Sequence, residues 1–401
     1  MSPFRNRDLW ALTLSHFIVD FFSGAVPILL AAQTAPLELT PAQIGVLAFG
    51  YRLSSSVTQP LFGLFADRRR APLLALAGVL WNGVFIGLAG LAGHFGVLLG
   101  LLVIAGLGSA AFHPPGGAGV PYIIAPERRG TAMSIFLLGG NSGYAFGPLA
   151  AGFIFTAFGP HGALSFTVAA LLIGPLLFFL LRGLRYEGSA SPPDRSARPA
   201  QPGTARLRES VPLMGVGVLA LVILLRQWAS ESVSVYLPQY FLAQGYNLAF
   251  AGNVSFVMRI MASLGSFVAG YLADRVGRNR VIVIGLLASA PALYALLHVT
   301  DGWVFALAGV QGLLRNASLP LTLLIGQELL PDRPGMMTGL TIGFTFIMGG
   351  IGTALTGLVA EHVGLAATLN WLPLLLLLSG LAAMGLPASW RRAQSLATGG
   401  R

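Results

Sequence analysis

The stretch Gly270-Tyr-Leu-Ala-Asp274-Arg275-Val-Gly277-Arg278 repeats an earlier one, Gly63-Leu-Phe-Ala-Asp67-Arg68-Arg69-Arg70. Both stretches end an apolar run with an aspartate followed by an arginine, and the two aspartates are 207 residues apart. Arg52 and Arg259, each 15 residues before its aspartate, keep the same separation. One offset shared by a loop pattern and by a charged residue inside an apolar run indicates an internal repeat. The chain is therefore predicted to consist of two related halves.

The composition of the chain indicates a membrane protein. Of its 401 residues, 55% are hydrophobic and only 9% are charged, and the mean hydropathy is +0.76. A soluble domain carries about 25% charged residues, so a water-soluble enzyme is disfavoured, and so is a disordered chain. The chain has no cysteine, which excludes disulfides, thiolate metal sites and cysteine nucleophiles.

Twelve apolar runs are long enough to cross a bilayer, for which a helix needs about 20 residues. We therefore predict an all-α membrane protein with twelve transmembrane helices, arranged as two six-helix repeats. The predicted spans lie near 8–32, 41–66, 71–92, 96–120, 129–158, 161–183, 210–242, 247–273, 279–298, 302–328, 333–360 and 365–388.

The arginines give the orientation of these spans. All 24 basic residues are arginines, and most of them fall in segments on the same side as the N-terminus. The positive-inside rule makes those segments cytoplasmic, so both termini are predicted to be cytoplasmic. The polar, proline-rich stretch 184–209 is predicted to be a cytoplasmic linker between an N-terminal bundle, 1–183, and a C-terminal bundle, 210–401. Because topology accounts for the basic residues, a nucleic-acid partner is not expected.

The repeated loop resembles the signature loop of the major facilitator superfamily of transporters, although its first copy lacks a glycine after the arginines. Span five carries Gly143-Tyr-Ala-Phe-Gly147-Pro148-Leu-Ala-Ala-Gly152, which is similar to a motif of proton-coupled antiporters. More specifically, the chain resembles the fosmidomycin-resistance family of drug exporters. The matching stretches are His16-x-x-x-Asp20, Gln59-Pro60, Phe112-His113-Pro114, Gly139-Gly140-Asn141, Gln327-Glu328-Leu-Leu-Pro331 and Met348-Gly349-Gly350.

This resemblance implies an alternating-access transporter in which spans one, four, seven and ten line a central cavity. The acidic and basic residues of the two loops could cap helix ends and pair across the cytoplasmic interface; the alternative is a solvated charge run that only fixes topology. The residues predicted to take part in this gating are Asp67, Arg68, Gly270, Asp274, Arg275, Gly277 and Arg278. Gly143, Gly147, Pro148 and Gly152 are expected to let helices pack closely while the halves rock.

Two sites inside the spans are candidates for proton coupling. A charge near the bilayer centre costs roughly 2.5–3.5 kcal/mol, so each ionisable residue there needs a partner or a watery cavity. His16 and Asp20 are four residues apart on one face of span one and could exchange a proton. The alternative for this pair is a hydrogen bond that ties span one to a neighbour. Glu231 in span seven is the second candidate, and its alternative is a structural ion pair.

Four arginines near the middle of predicted spans are candidates for substrate binding. Arg226 and Arg315 have no matching charge in the other repeat, which favours contact with substrate. Arg52 and Arg259 are related by the repeat, so they either bind substrate or pair within their own halves. Asp20 and Glu231 neutralise only two of the four arginines. Because guanidinium groups bind phosphonates and carboxylates through paired hydrogen bonds, we predict an anionic or zwitterionic substrate, for example the phosphonate fosmidomycin.

His113 begins the stretch His113-Pro114-Pro115-Gly116-Gly117, which is expected to break span four. Irregular backbone at this depth is tolerated only where protein or water satisfies it. His113 is therefore a candidate contact for substrate or proton, and the alternative is a hydrogen-bonded histidine at a kink.

The predicted function is export of a small anionic or zwitterionic compound in exchange for protons, across the inner membrane. The alternatives are uptake of an organic anion together with protons, an intramembrane enzyme that uses His16, Asp20 and His113, and a sensor that moves nothing. The absence of a P-loop and of common hydrolase motifs argues against ATP-driven transport and hydrolysis. We predict no cofactor or metal; the expected partners are a small-molecule substrate, protons and the lipid bilayer, and the expected state is a monomer.

Overall fold

The computed structural model of the protein describes residues 3–66, 71–184, 213–300, 302–329 and 334–386. These residues form α-helices joined by short turns, and no β-strand occurs among them. The helices are α1 (Arg7–Thr34), α2 (Pro41–Val57), α3 (Gln59–Ala66), α4 (Ala71–Ala89), α5 (Phe95–Ile123), α6 (Arg129–Phe158), α7 (Leu164–Leu181), α8 (Leu213–Ala243), α9 (Leu248–Val276), α10 (Arg278–His298), α11 (Trp303–Asn316), α12 (Leu319–Leu329), α13 (Pro334–Val363), α14 (Leu365–Leu369) and α15 (Leu372–Ala383).

The helices confirm the predicted all-α membrane fold of two six-helix repeats. Nine helical stretches among the described residues are long and apolar enough to cross a membrane, by length and composition. The other three predicted spans are α2 with α3, α11 with α12, and the glycine-rich α6. The N-terminal half contains α1–α7 and the C-terminal half α8–α15. When α2 with α3, α11 with α12, and α14 with α15 each count as one span, both halves have six spans, which matches the repeat in the sequence.

Prolines divide spans two and ten, each of which the sequence predicts as one continuous run. α2 ends at Val57, and Pro60 stands in the first turn of α3. A proline there cannot donate a hydrogen bond to the carbonyl four residues earlier, so the helical ladder stops. Pro320 stands in the first turn of α12 in the same way, after α11 ends at Asn316.

The expected break in span four was wrong, because α5 runs without interruption from Phe95 to Ile123. Pro114, Pro115 and Pro121 all lie inside this helix. Each proline removes only one backbone hydrogen bond, and α5 is held on both sides by α2 and α4. α5 therefore stays one continuous helix, and His113 projects from helical rather than irregular backbone.

Side chains and glycines set several of the helix ends. Asn6 accepts a hydrogen bond from the Leu9 backbone N–H at 2.9 Å and so caps α1. Thr40 and Gln43 form a reciprocal capping box at the start of α2. Gly277 has φ 93° between α9 and α10, a left-handed conformation that favours glycine and lets the chain reverse at once.

The two halves meet mainly through α2 against α13 and α6 against α9. The Thr40 hydroxyl donates to Glu361 at 3.3 Å, Tyr236 donates to the Pro41 carbonyl at 2.9 Å, and the Ala249 N–H donates to Thr156 at 2.8 Å. We call the end of the molecule that carries these contacts the closed end. Among the described residues, every hydrogen bond between the halves lies between this end and the middle of the bundle.

Some predictions fall on residues that the structure does not describe. Asp67 and Arg68 lie outside the described residues, and so does the linker 184–209 except for Leu184. The boundaries 1–183 and 210–401 of the two bundles therefore stay predictions.

Candidate functional site

The first cluster of ionisable residues lies inside the N-terminal half. His16 and Asp20 are one turn apart on α1, and His113 approaches them from α5. Gly140 on α6 makes room for this cluster, since a Cβ atom there would collide with His16 and would meet Asp20 Oδ2 at 2.7 Å. The structure thus brings together three of the predicted site residues and gives Gly140 a part in the site.

Each ring nitrogen of His16 has one polar neighbour. His16 Nδ1 lies 2.9 Å from the carbonyl oxygen of Phe136, which can only accept, so Nδ1 carries a hydrogen. The other ring nitrogen, Nε2, lies 3.2 Å from Asp20 Oδ2. The two atoms are close enough to form an ion pair when the imidazole is protonated.

His113 completes the cluster from the opposite side of Asp20. Its Nε2 atom lies 3.6 Å from Asp20 Oδ1 and 3.3 Å from the Ser109 hydroxyl. The ligand atoms of His16, Asp20 and His113 all lie within 4.8 Å of one another, a spacing that a metal ion could also use.

The second cluster of ionisable residues lies where the two halves of the protein meet. Arg52 on α2 donates from Nη2 to both carboxylate oxygens of Glu231 on α8, at 2.9 and 3.2 Å. Gln227, one turn before Glu231, donates to the same carboxylate at 3.1 Å. The ion pair is only partly buried, with 22% of the Arg52 side chain and 15% of the Glu231 side chain exposed.

Tyr144 links the two arginines that the repeat relates. Its hydroxyl lies 2.5 Å from Arg52 Nη2, and the guanidinium of Arg259 lies 4.0 Å from the centre of its ring. Sequence reasoning missed Tyr144 and Gln227 as site residues. Tyr144 follows Gly143 in the glycine-rich motif, but only the packing of α6 against α9 brings an arginine over its ring.

The alternative that Arg52 pairs within its own half does not hold, whereas Arg259 interacts electrostatically with Glu231 of its own half. Arg52, from the N-terminal half, pairs with Glu231 of the C-terminal half, and Arg259, from the C-terminal half, stacks on Tyr144 of the N-terminal half. Both arginines face the interface because α2 and α9 are two of the helices through which the halves meet.

Arg226 and Arg315 lie within the C-terminal half and have no carboxylate hydrogen-bonded to them among the described residues. Arg315 donates to the Ser230 carbonyl at 3.0 Å, whereas Nε and Nη2 of Arg226 have no partner in the described part of the chain. Arg226 is 1% exposed and Arg315 7% exposed, and their charges repel each other. Two buried guanidinium groups in this situation would be neutralised by a bound anion.

Glu231 is the carboxylate on which these charges converge. It interacts electrostatically with Arg52, Arg259 and Arg315, and also with Arg226. Among the described residues, four arginines therefore lie around one carboxylate in this part of the molecule, so positive charge is in excess there. The arrangement is suited to hold an anion, since guanidinium groups offer several N–H donors to one oxyanion.

The residues predicted to gate transport make local contacts in this structure. Arg278 forms an ion pair with Glu328, which belongs to the same half. Arg275 lies over the ring of Tyr271, 4.2 Å from its centre, and Asp274 makes no ion pair among the described residues. Gly270 has open space beside it. A gating role for these residues stays a prediction.

The glycines of the span-five motif pack two different interfaces. A Cβ atom at Gly143 or Gly147 would collide with backbone carbonyls of α1 in the same half. At Gly152 it would lie 2.6 Å from the Leu248 carbonyl of α9, in the other half, and the Pro148 carbonyl approaches Gly252 at the same crossing. Gly152 and Pro148 therefore lie where the halves meet, whereas Gly143 and Gly147 hold the N-terminal half together.

This helix arrangement, with ionisable side chains at its centre, is that of a membrane transporter. The family model of the Major Facilitator Superfamily matches residues 10–263 and residues 219–398, and the chain belongs to that superfamily. It is a multi-pass membrane transporter rather than an enzyme, as the sequence predicted.

Individual relatives narrow the comparison. The chain is 30% identical over 358 residues to the fosmidomycin resistance protein of Escherichia coli (strain K12), covering 89% of this chain and 87% of the relative. It is 31% identical over 388 residues to an uncharacterized MFS-type transporter, YfnC, of Bacillus subtilis (strain 168), covering 94% and 91%. The predicted resemblance to the fosmidomycin-resistance family is thus confirmed. Among solved structures, a bacterial homologue of the human lysosomal transporter Spinster, in an inward-facing and occupied conformation, superimposes with a TM-score of 0.80 at 16% identity over 98% of both chains.

Proposed function

We propose that this transporter is a proton-coupled antiporter that exports a small anionic or zwitterionic compound by alternating access, with a fosmidomycin-like phosphonate as the favoured substrate. Protons moving inward would drive the substrate outward across the inner membrane. Both termini would lie in the cytoplasm, as the distribution of arginines indicates.

The observation that carries this proposal is the excess of arginine over carboxylate at the centre of the bundle. Arg226 and Arg315 are buried side by side with no carboxylate hydrogen-bonded to them among the described residues, and both lie near Glu231. A phosphonate offers several acceptor oxygens, so it suits such a site better than a neutral or cationic compound does. Arg52, Arg259 and His113 would contribute further contacts from the interface and from the N-terminal half.

The proton would be taken by Asp20 together with His16. The two side chains lie 3.2 Å apart, and Asp20 is partly exposed, so water can reach it. Proton release from this pair would change the charge beside α6, the helix that contacts both α1 and α9. Glu231 is the second candidate because it faces all four arginines.

With cytoplasmic termini, the closed end would face the outside of the cell, and among the described residues no hydrogen bond joins the halves on the cytoplasmic side of the Arg52–Glu231 pair. Such a conformation is the one that would load an exported substrate. The name of the Escherichia coli relative supports fosmidomycin as the first compound to test.

Purified protein in liposomes, with an imposed pH gradient and an internal pH dye, tests this proposal. Addition of fosmidomycin should cause proton movement opposite to the movement of the drug. Movement of both in the same direction would instead make the protein an uptake symporter. No coupled movement, in a preparation that still exchanges other organic anions, would retain the transporter and reject this substrate.

A further inference from the structure

The Glu231 carboxylate binds the guanidinium of Arg52 as the oxyanion of a ligand would. Both of its oxygens accept from Arg52 Nη2, at 2.9 and 3.2 Å, and Gln227 holds one of them at 3.1 Å. The Tyr144 hydroxyl lies 2.5 Å from the same Nη2 atom. All three of these contacts with Arg52 fall on Nη2, so a ligand that accepts hydrogen bonds from this nitrogen would have to take the place of the Glu231 carboxylate and would find Gln227 and Tyr144 beside it.

This ion pair is more exposed than the neighbouring buried arginines. The Arg52 side chain is 22% exposed, whereas Arg226 is 1% exposed. A cavity with room for about one water molecule lies beside the pair, on the side of the closed end, and is lined by Arg52, Tyr144, Glu231, Ser23 and Ser234. An anion therefore has easier access to Arg52 than to Arg226.

Because the Arg52–Glu231 pair lies between the halves, breaking and re-forming this pair is part of the transport cycle. Arg52 belongs to α2 and Glu231 to α8, so the pair must separate when the halves move apart at the closed end. Removal of one partner from a buried ion pair leaves the other uncompensated, which is strongly destabilising. A substrate anion on Arg52 would supply the missing charge.

We propose that Glu231 is a built-in competitor of the substrate, whose anionic group displaces the Glu231 carboxylate from Arg52. This inference rests on the proposed function, because it assumes an anionic substrate. It makes Glu231 a specificity-determining residue. An oxyanion can replace the carboxylate at Arg52 Nη2 and Gln227, whereas a neutral or cationic compound would leave Arg52 without a counter-charge.

The test is calorimetric binding of methylphosphonate to the full-length protein in detergent. Glu231→Gln should bind methylphosphonate about 10-fold more tightly than the wild type, because an amide accepts from Arg52 more weakly than a carboxylate does. Glu361→Gln is the matched control, since this exposed carboxylate also joins the halves, through Thr40, but lies away from the arginines. Equal or weaker binding by Glu231→Gln, or the same gain in Glu361→Gln, would overturn the proposal.

A second pair of variants separates competition at Arg52 from a general effect of charge. In the Arg52→Gln background, adding Glu231→Gln should bring no further gain in methylphosphonate affinity. A persistent 10-fold gain there would show that Glu231 acts only through its electric field, which contradicts competition. If Glu231→Gln does not fold, Glu231→Asp replaces it in both comparisons. Its shorter side chain should loosen the pair and give an intermediate gain, and affinity no tighter than that of the wild type would overturn the proposal.

The proposed function fails by a different measurement. If the wild type does not move protons with fosmidomycin, but Glu231→Gln still binds methylphosphonate more tightly through Arg52, the antiport proposal falls and the competition stands. If wild type and variants show no methylphosphonate binding at all, the competition proposal falls, whatever the protein transports.

Discussion

At the scale of single residues, three polar side chains are candidates to bind a proton or a ligand: His16, Asp20 and Arg226. The backbone carbonyl of Phe136 fixes the hydrogen of His16 on Nδ1, which directs Nε2 at Asp20. Arg226 has two buried nitrogens with no partner among the described residues. Asp20 and Arg226 can therefore be tested with changes that remove charge but preserve shape.

Asp20→Asn should abolish fosmidomycin transport driven by a pH gradient while leaving counterflow exchange of the drug in the absence of a gradient. An amide cannot take up and release a proton as the Asp20 carboxylate would in the proposed mechanism. The measurement is uphill uptake into inside-out vesicles beside counterflow in liposomes, with a chelator present so that metal ions play no part. Asp8→Asn, on the same helix but in its first turn, is the control. Undiminished uphill transport in Asp20→Asn would exclude Asp20 as the coupling site.

Arg226→Gln should weaken fosmidomycin binding at least 10-fold and at the same time raise thermal stability. The first effect follows from the loss of charge-assisted hydrogen bonds to an anion, and the second from the removal of a buried, unpaired charge. Calorimetric binding and a melting curve of the ligand-free protein measure the two effects. Arg182→Gln, which changes an exposed arginine at the end of α7, should leave binding unchanged. A purely structural Arg226 would instead lower stability when replaced.

The sequence could predict which residues of the site are ionisable but not how they pair. His16 and Asp20 could be placed together because four residues separate them on one helix. Arg52 and Glu231 are 179 positions apart, and their contact depends on how the two halves assemble. Tyr144 was missed because an aromatic residue in an apolar span gives no signal until an arginine is seen over its ring.

At the scale of helices, the contrast between α5 and the divided spans shows what a proline does in a membrane. Apolar length predicted all twelve spans, because length and hydropathy are local properties of the sequence. The fate of each proline depends on its surroundings instead. α5 passes through Pro114 and Pro115 while packed between α2 and α4, whereas Pro60 and Pro320 each begin a new helix.

Gly152→Ala should weaken the contact of α6 with α9 and lower the thermal stability of the protein. The added methyl group would lie 2.6 Å from the Leu248 carbonyl, and relieving such overpacking costs about 1–3 kcal/mol. Gly130→Ala, on the same helix with open space beside it, is the control and should be neutral or slightly stabilising. The measurement is a melting curve for each variant. Equal melting temperatures for the two would show that the halves do not depend on this crossing.

At the scale of the whole molecule, the closed end is where the two halves hold each other. Thr40, Tyr236 and Thr156 make hydrogen bonds across it, and Glu361 accepts one of them. The repeat in the sequence predicted two halves, but a sequence that serves several conformations cannot predict which end is closed in one of them.

Covalent linkage of the closed end should stop transport. The chain has no cysteine, so Thr40→Cys with Glu361→Cys creates two unique thiols at positions whose native side chains lie 3.3 Å apart. A short bifunctional thiol reagent should join them and abolish fosmidomycin counterflow, because alternating access needs this end to open. Each single-cysteine variant, treated with the same reagent, should keep its counterflow. Full counterflow in the linked protein would mean that the halves do not separate there.

The four arginines around Glu231 should also make the movement of the halves sensitive to membrane voltage. A charge that crosses a whole potential of 100 mV exchanges about 2.3 kcal/mol with it, and among the described residues arginines outnumber carboxylates around Glu231. If the proposed anionic substrate cancels part of this excess, the empty carrier should respond to voltage more strongly than the loaded one. A transient charge movement without substrate, reduced when fosmidomycin is added, would be its electrical signature.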